Sequence, residues 1–119
     1  MPTPAAPEIK SYHAHVYYTP DTRDRAGVIR QQVEEKFEIV MGRWRDKPVG
    51  PHPMWSYQIA FEPSLFGTII PWLALYHDDL PVFIHPNTGY PLADHRDHAI
   101  WVGEQQVLEL SRLPERSSE

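Results

Sequence analysis

The segment order predicts an α+β domain of the ferredoxin-like βαββαβ class, with a C-terminal strand extension and a dimeric, barrel-like assembly. Three observations carry that prediction. Residues 12–18 are aromatic and β-branched, as a strand requires. Ala26, Ile29, Val33 and Phe37 then recur at spacings of three and four among Arg, Gln and Glu, which is one apolar stripe on a solvated helix. Beyond a turn-dense stretch at 45–53, a third strand-like run precedes a second, strongly apolar helix.

In order, the domain begins near Ile9, the first strand follows over residues 12–18, and Thr19 with Pro20 offers a helix start with proline at the first helical position. A second strand is expected over residues 38–44 and a third over 54–61. Pro63 and Ser64 open the second helix, which runs to about His77 and is expected to kink or restart at Pro71, where a backbone donor is missing. Asp78 and Asp79 turn the chain into a short strand over 81–85, and residues 99–110 add one or two more. Residues 1–8 read as a flexible arm, 9–112 as one domain and 113–119 as a flexible tail.

With 119 residues, a single compact domain is expected. Leu, Ile, Val and Phe make up about a quarter of the chain, enough apolar surface for folding. The net charge of −5 and scattered basic residues argue against nucleic acid. The apolar run at 65–76 is shorter than the ~20 residues of a membrane span, and no secretory leader is visible, so a cytoplasmic protein is expected. Cysteine is absent, which leaves only nitrogen and oxygen donors for any metal.

Seven histidines are the anomaly. On the first strand, Ala14 and Val16 share the face toward the helices, so His13, His15 and Tyr17 share the other. On the last strand, Val82 and Ile84 likewise turn inward and Phe83 and His85 outward. In the 4-1-3-2 strand order of this fold class, the first and last strands are antiparallel neighbours, and His13, His15 and His85 converge as three imidazole ligands for one divalent transition ion. A histidine pair alone reads as half-exposed polar residues; the third changes that balance. His52 is pinned between Pro51 and Pro53. His95 and His98 would align if their segment were helical, and either suits a ligand or an acid–base group. Asp94 or Asp97 would then orient a ring. His77 ends the apolar helix and reads as structural.

The motifs Tyr12-His-Ala-His-Val-Tyr-Tyr18, Gly50-Pro-His-Pro53, Phe66-Gly67 with Pro71-Trp72, His85-Pro-Asn-Thr-Gly89 and Asp94-His-Arg-Asp-His-Ala-Ile-Trp-Val-Gly103, in this order, resemble the DOPA 4,5-dioxygenase family of fungi and bacteria. That resemblance implies extradiol cleavage of a catechol such as L-DOPA by O2 at non-haem Fe(II), in a homodimer, with zinc or nickel as alternative ions in the protein as purified. Under it, His13, His15 and His85 are expected to hold the metal, and His52, His95 and His98 to move protons or orient substrate. Arg96 and Tyr17 are expected to contact the substrate. The competing reading is a metal-binding dimeric module for small molecules with no dioxygenase activity.

Overall fold

A computed structural model describes residues 7–117, so the expected N-terminal arm lies mostly outside the described residues, as do 118 and 119. Strand β1 (Ser11–Tyr18) leads to helix α1 (Arg23–Lys36), the short strand β2 (Val40–Met41), strand β3 (Trp55–Phe61) and helix α2 (Phe66–Tyr76). Strand β4 (Val82–Asn87), a short helix α3 (Pro91–Arg96) and strand β5 (Ile100–Val102) follow. The five strands form one antiparallel sheet in the order β2-β3-β1-β4-β5. β1 is therefore the central strand, with β4 its antiparallel neighbour.

Alternation along the strands divides the sheet. Ala14, Val16, Tyr18, Tyr57, Ile59, Val82 and Ile84 are buried against Ala26, Ile29 and Val33 of α1 and Ile69 and Leu73 of α2. The apolar stripe read from α1 thus meets the even-numbered face of β1. Tyr57 adds a directed contact across this core, its hydroxyl donating to the Ala26 carbonyl at 2.7 Å.

Several boundaries differ from expectation. Thr19 and Thr22 close a turn, with the Thr22 amide donating to the Thr19 carbonyl, so α1 begins four residues after Thr19 rather than at Pro20. β2 keeps two of the seven residues expected. The cause is a bulge: Gly42 donates to the Gln58 carbonyl and Arg45 to the Ser56 carbonyl, so Arg43 and Trp44 together oppose Tyr57 alone. α2 runs through Pro71 as a single helix, preceded by one 3-10 turn (Pro63–Leu65). The extension supplies one strand, β5, and then a 3-10 turn (Leu110–Arg112).

The second face of the sheet is covered by the chain itself. Glu109 donates to the Pro51 carbonyl, Leu92 to the Pro114 carbonyl and Ser117 to the Gly89 carbonyl. Residues 113–117, expected as a free tail, are thereby held against α3 and the loop that precedes it. Ile84 is fully buried on the helix-facing side of β4, one residue before His85. Ile84→Ala should lower unfolding free energy by about 2–5 kcal/mol in urea titrations, the usual cost of such a core truncation.

Candidate functional site

The register of β1 with its neighbours builds the site. His13 sits directly opposite His85 on β4, and His15 sits between Phe83 on β4 and Gln58 on β3. All of these residues lie on the face turned away from α1 and α2. One ring nitrogen from each of His13, His15 and His85 falls within 4.8 Å of the others, and the last two residues are buried. The loop before β3 lays His52 on His15, with ring centroids 4.2 Å apart. Helix α3 lays His95 on His85 at 3.9 Å. Five of the seven histidines therefore line one cleft of about 250 Å³, together with Gln58, Asn87 and Asp94.

Hydrogen bonds decide which nitrogens are free. His85 Nδ1 lies 2.9 Å from the Pro86 carbonyl and His95 Nδ1 lies 2.7 Å from the Pro91 carbonyl. A carbonyl only accepts, so both Nδ1 atoms carry the proton and both Nε2 atoms are bare. His15 Nε2 is 3.1 Å from His85 Nε2 and is consequently the donor between them. Tyr17, fully buried, places its hydroxyl 2.7 Å from His52 Nδ1. Burial raises the Tyr17 pKa, which keeps that hydroxyl protonated.

Burial also holds the imidazoles neutral. It pushes His13 and His52 down to about 4 and His85 to about 3, with repulsion among neighbouring rings adding to each shift. His15, inside the cluster, is lowered for the same reasons, and His95 by burial. Neutral imidazoles with bare nitrogens are the form that binds transition ions. Two nitrogens bound to one such ion at about 2.1 Å stand roughly 3.0–3.4 Å apart, and the Nε2 atoms of His15 and His85 lie 3.1 Å apart, so that an ion fits between them once the His15 proton moves from Nε2 to Nδ1. The residues fit a divalent transition ion.

Two expected residues lie elsewhere. α3 ends at Arg96, so His98 does not share a helix face with His95; it is exposed and outside the residues lining the cleft. Arg96 is also exposed, its guanidinium paired with Asp97 at 2.8 Å. Asp94 does reach the cleft, yet it orients no ring: its carboxylate accepts from the Thr88 amide at 2.8 Å and the Thr88 hydroxyl at 2.6 Å, fastening α3 to the end of β4. Backbone carbonyls do the orienting instead. Gln58 was not singled out, although the alternation of Tyr57, Ile59 and Phe61 against Ser56, Gln58 and Ala60 carries the necessary signal.

A cleft of five neutral histidines on an antiparallel sheet marks a small α+β domain whose histidine cluster is compatible with a bound transition ion. Residues 12–112 match the model of the Dopa 4,5-dioxygenase family, and the chain belongs to that family. It is 31% identical over 121 residues to a DOPA 4,5-dioxygenase of Amanita muscaria, covering 94% of this chain and 53% of that protein. It is 34% identical over 113 residues to an uncharacterized 21.2 kDa protein of Botryotinia fuckeliana, covering 85% of this chain and 62% of the relative. The chain thus spans between about half and three fifths of these relatives. A crystal structure titled a "putative dioxygenase" from Nostoc punctiforme superposes with a TM-score of 0.86 at 41% identity, covering 87% of this chain and 90% of that one. Among the described residues, no helix is long and apolar enough to cross a membrane.

Acid should destabilise the metal-free protein. The unfolded chain takes up protons on these histidines near pH 6.5, whereas folded His13 and His52 resist until about 4 and His85 until about 3. The unfolded state therefore binds more protons throughout that window, and stability falls as pH drops from about 6.5 toward 4, by up to ~1.4 kcal/mol per pH unit for each histidine that stays neutral. Thermal melts between pH 7.5 and 4.5 measure this slope, and a flat profile would contradict it. Asp94→Ala should free α3 and weaken zinc or iron binding by roughly tenfold or more, read by competition with a chelating dye.

Proposed function

We propose that this chain is a non-haem Fe(II)-dependent extradiol dioxygenase that opens the ring of a catechol, such as L-DOPA at the 4,5-bond, with O2. The observation that carries the reading is the convergence of His13, His15 and His85, as neutral imidazoles, in a family whose Amanita muscaria relative is named a DOPA 4,5-dioxygenase. These three residues would hold the ion. Fe(II) bound there supplies the one-electron chemistry through which O2 reacts with a catechol.

The chain's own groups do the rest. His95 accepts a catechol hydroxyl proton at Nε2, which is bare because Nδ1 donates to the Pro91 carbonyl. His52, whose Nδ1 is held by the Tyr17 hydroxyl, returns a proton through Nε2 as the ring opens. Phe83, fully buried and stacked on Trp101 at 4.8 Å, packs behind the rings of His15, His85 and His95 and helps hold them in place. Both oxygen atoms of O2 enter the product, so no further reductant is required. A homodimer belongs to the same reading and is supported by the exposed Leu75 and Tyr76 on α2.

Oxygen consumption by anaerobically Fe(II)-loaded protein, with L-DOPA, caffeate and protocatechuate, tests the reading together with the absorbance of a yellow ring-opened product. Uptake with product is expected. Iron-replete protein that consumes no oxygen with any catechol would leave a metal-binding module without dioxygenase chemistry. His15→Ala and His85→Ala should each abolish iron binding. His52→Ala and His95→Ala should retain iron and lose roughly 100-fold or more in kcat, the usual contribution of a positioned acid or base.

A further inference from the structure

The histidine cleft has a neighbour. A second cleft of about 280 Å³ shares His15, His52 and Gln58 with it and is lined on its far side by Arg43 and Arg45. On a chain of net charge −5, four of the other arginines are engaged: Arg23 with Asp46, Arg25 with Asp78, Arg30 with Glu34 and Arg96 with Asp97. Among the described residues, Arg43 and Arg45 have no ion-pair partner.

The backbone aims them. The bulge opposite Tyr57 lets Trp44 turn into the core, 5.1 Å from the Tyr57 ring and 5.2 Å from the Tyr18 ring, while the residues on either side of it line the cleft. Arg45 is fixed at its base by two backbone hydrogen bonds to Ser56, at 2.9 and 3.1 Å. Gly42 allows the segment to lie this close to β3, since a Cβ at that position would meet the Gln58 carbonyl oxygen at 3.2 Å.

We propose that Arg43 and Arg45 form an anion subsite that holds a carboxylate on the side chain of the aromatic substrate, with its ring directed across His52 and Gln58 toward the histidine cluster. This deepens the dioxygenase reading and rests on it for the identity of the ring. The planar guanidinium fork suits a carboxylate. With the chain's overall charge repelling an acid, local pairing must supply the attraction. A substrate held at both ends would also present its ring in one orientation, so the subsite selects which bond faces the histidines.

The test is calorimetric titration, under argon, of the metal-loaded wild type and of the R43Q/R45Q variant. The ligands are 3-(3,4-dihydroxyphenyl)propionate and its neutral amide, and 3-phenylpropionate and its amide. Wild type should bind each acid about tenfold or more tightly than its amide, a ratio that shrinks with added salt and falls to about one in the double variant. Arg25→Gln, remote from the cleft, should leave the ratio unchanged. Equal binding of acid and amide by wild type, absence of binding by either acid, or a preference that survives in the double variant would each overturn the subsite. Turnover separates the two readings. If the catechol acid and amide are opened with equal kcat/KM, the anion subsite falls and the dioxygenase stands; if no catechol is opened while the arginine-dependent acid preference holds, the reverse is true.

Discussion

Everything at this site depends on the two-residue period of one central strand. β1 is hydrogen-bonded on both edges, so its odd and even side chains cannot trade faces without breaking two ladders. Ala14, Val16 and Tyr18 must meet the helices, because their apolar surface forms the middle of the core. That requirement commits His13, His15 and Tyr17 to the opposite side. The same helices that stabilise the fold therefore hold two imidazoles in place, and the placement needs no polar contact of its own.

A cluster of buried imidazoles is ordinarily unfavourable, since each loses hydration and any that is charged repels the others. The structure resolves this by keeping the rings neutral and giving their protons defined places. Carbonyls that follow from proline geometry, at Pro86 and Pro91, take the Nδ1 protons of His85 and His95. The residual donor, His15 Nε2, points at the bare nitrogen of His85. Two prolines thus act through their oxygen atoms as well as through their restricted φ angles.

How much of this was legible in the sequence follows from which interactions leave a periodic trace. The strand faces, the apolar stripe of α1 and the meeting of His13, His15 and His85 all follow from spacing, and all stand in the structure. The bulge that shortens β2 leaves no trace of that kind, because only the pairing with β3 reveals that two residues oppose one. The alignment of His98 with His95 depends on a helix through both residues, and α3 ends at Arg96. Asp94 was read as a partner for a ring on the strength of its neighbours in sequence, whereas the competing donors, both from Thr88, lie six residues upstream. Backbone carbonyls are the same in every residue and so stay silent until the fold places them. The cover over the second sheet face was equally hidden, for residues 109–117 carry neither apolar period nor turn signal strong enough to dock them.

That cover has a consequence in time. His13 and His15 are synthesised roughly a hundred residues before the segment that hydrogen-bonds to Pro51, Leu92 and Gly89. At roughly 5–20 residues per second, the nascent strand waits about 5–20 s for its roof. Throughout that interval a pair of imidazoles stands open to whatever ion or surface it encounters on the ribosome. Completion of the pocket thus waits on the synthesis of residues 109–117.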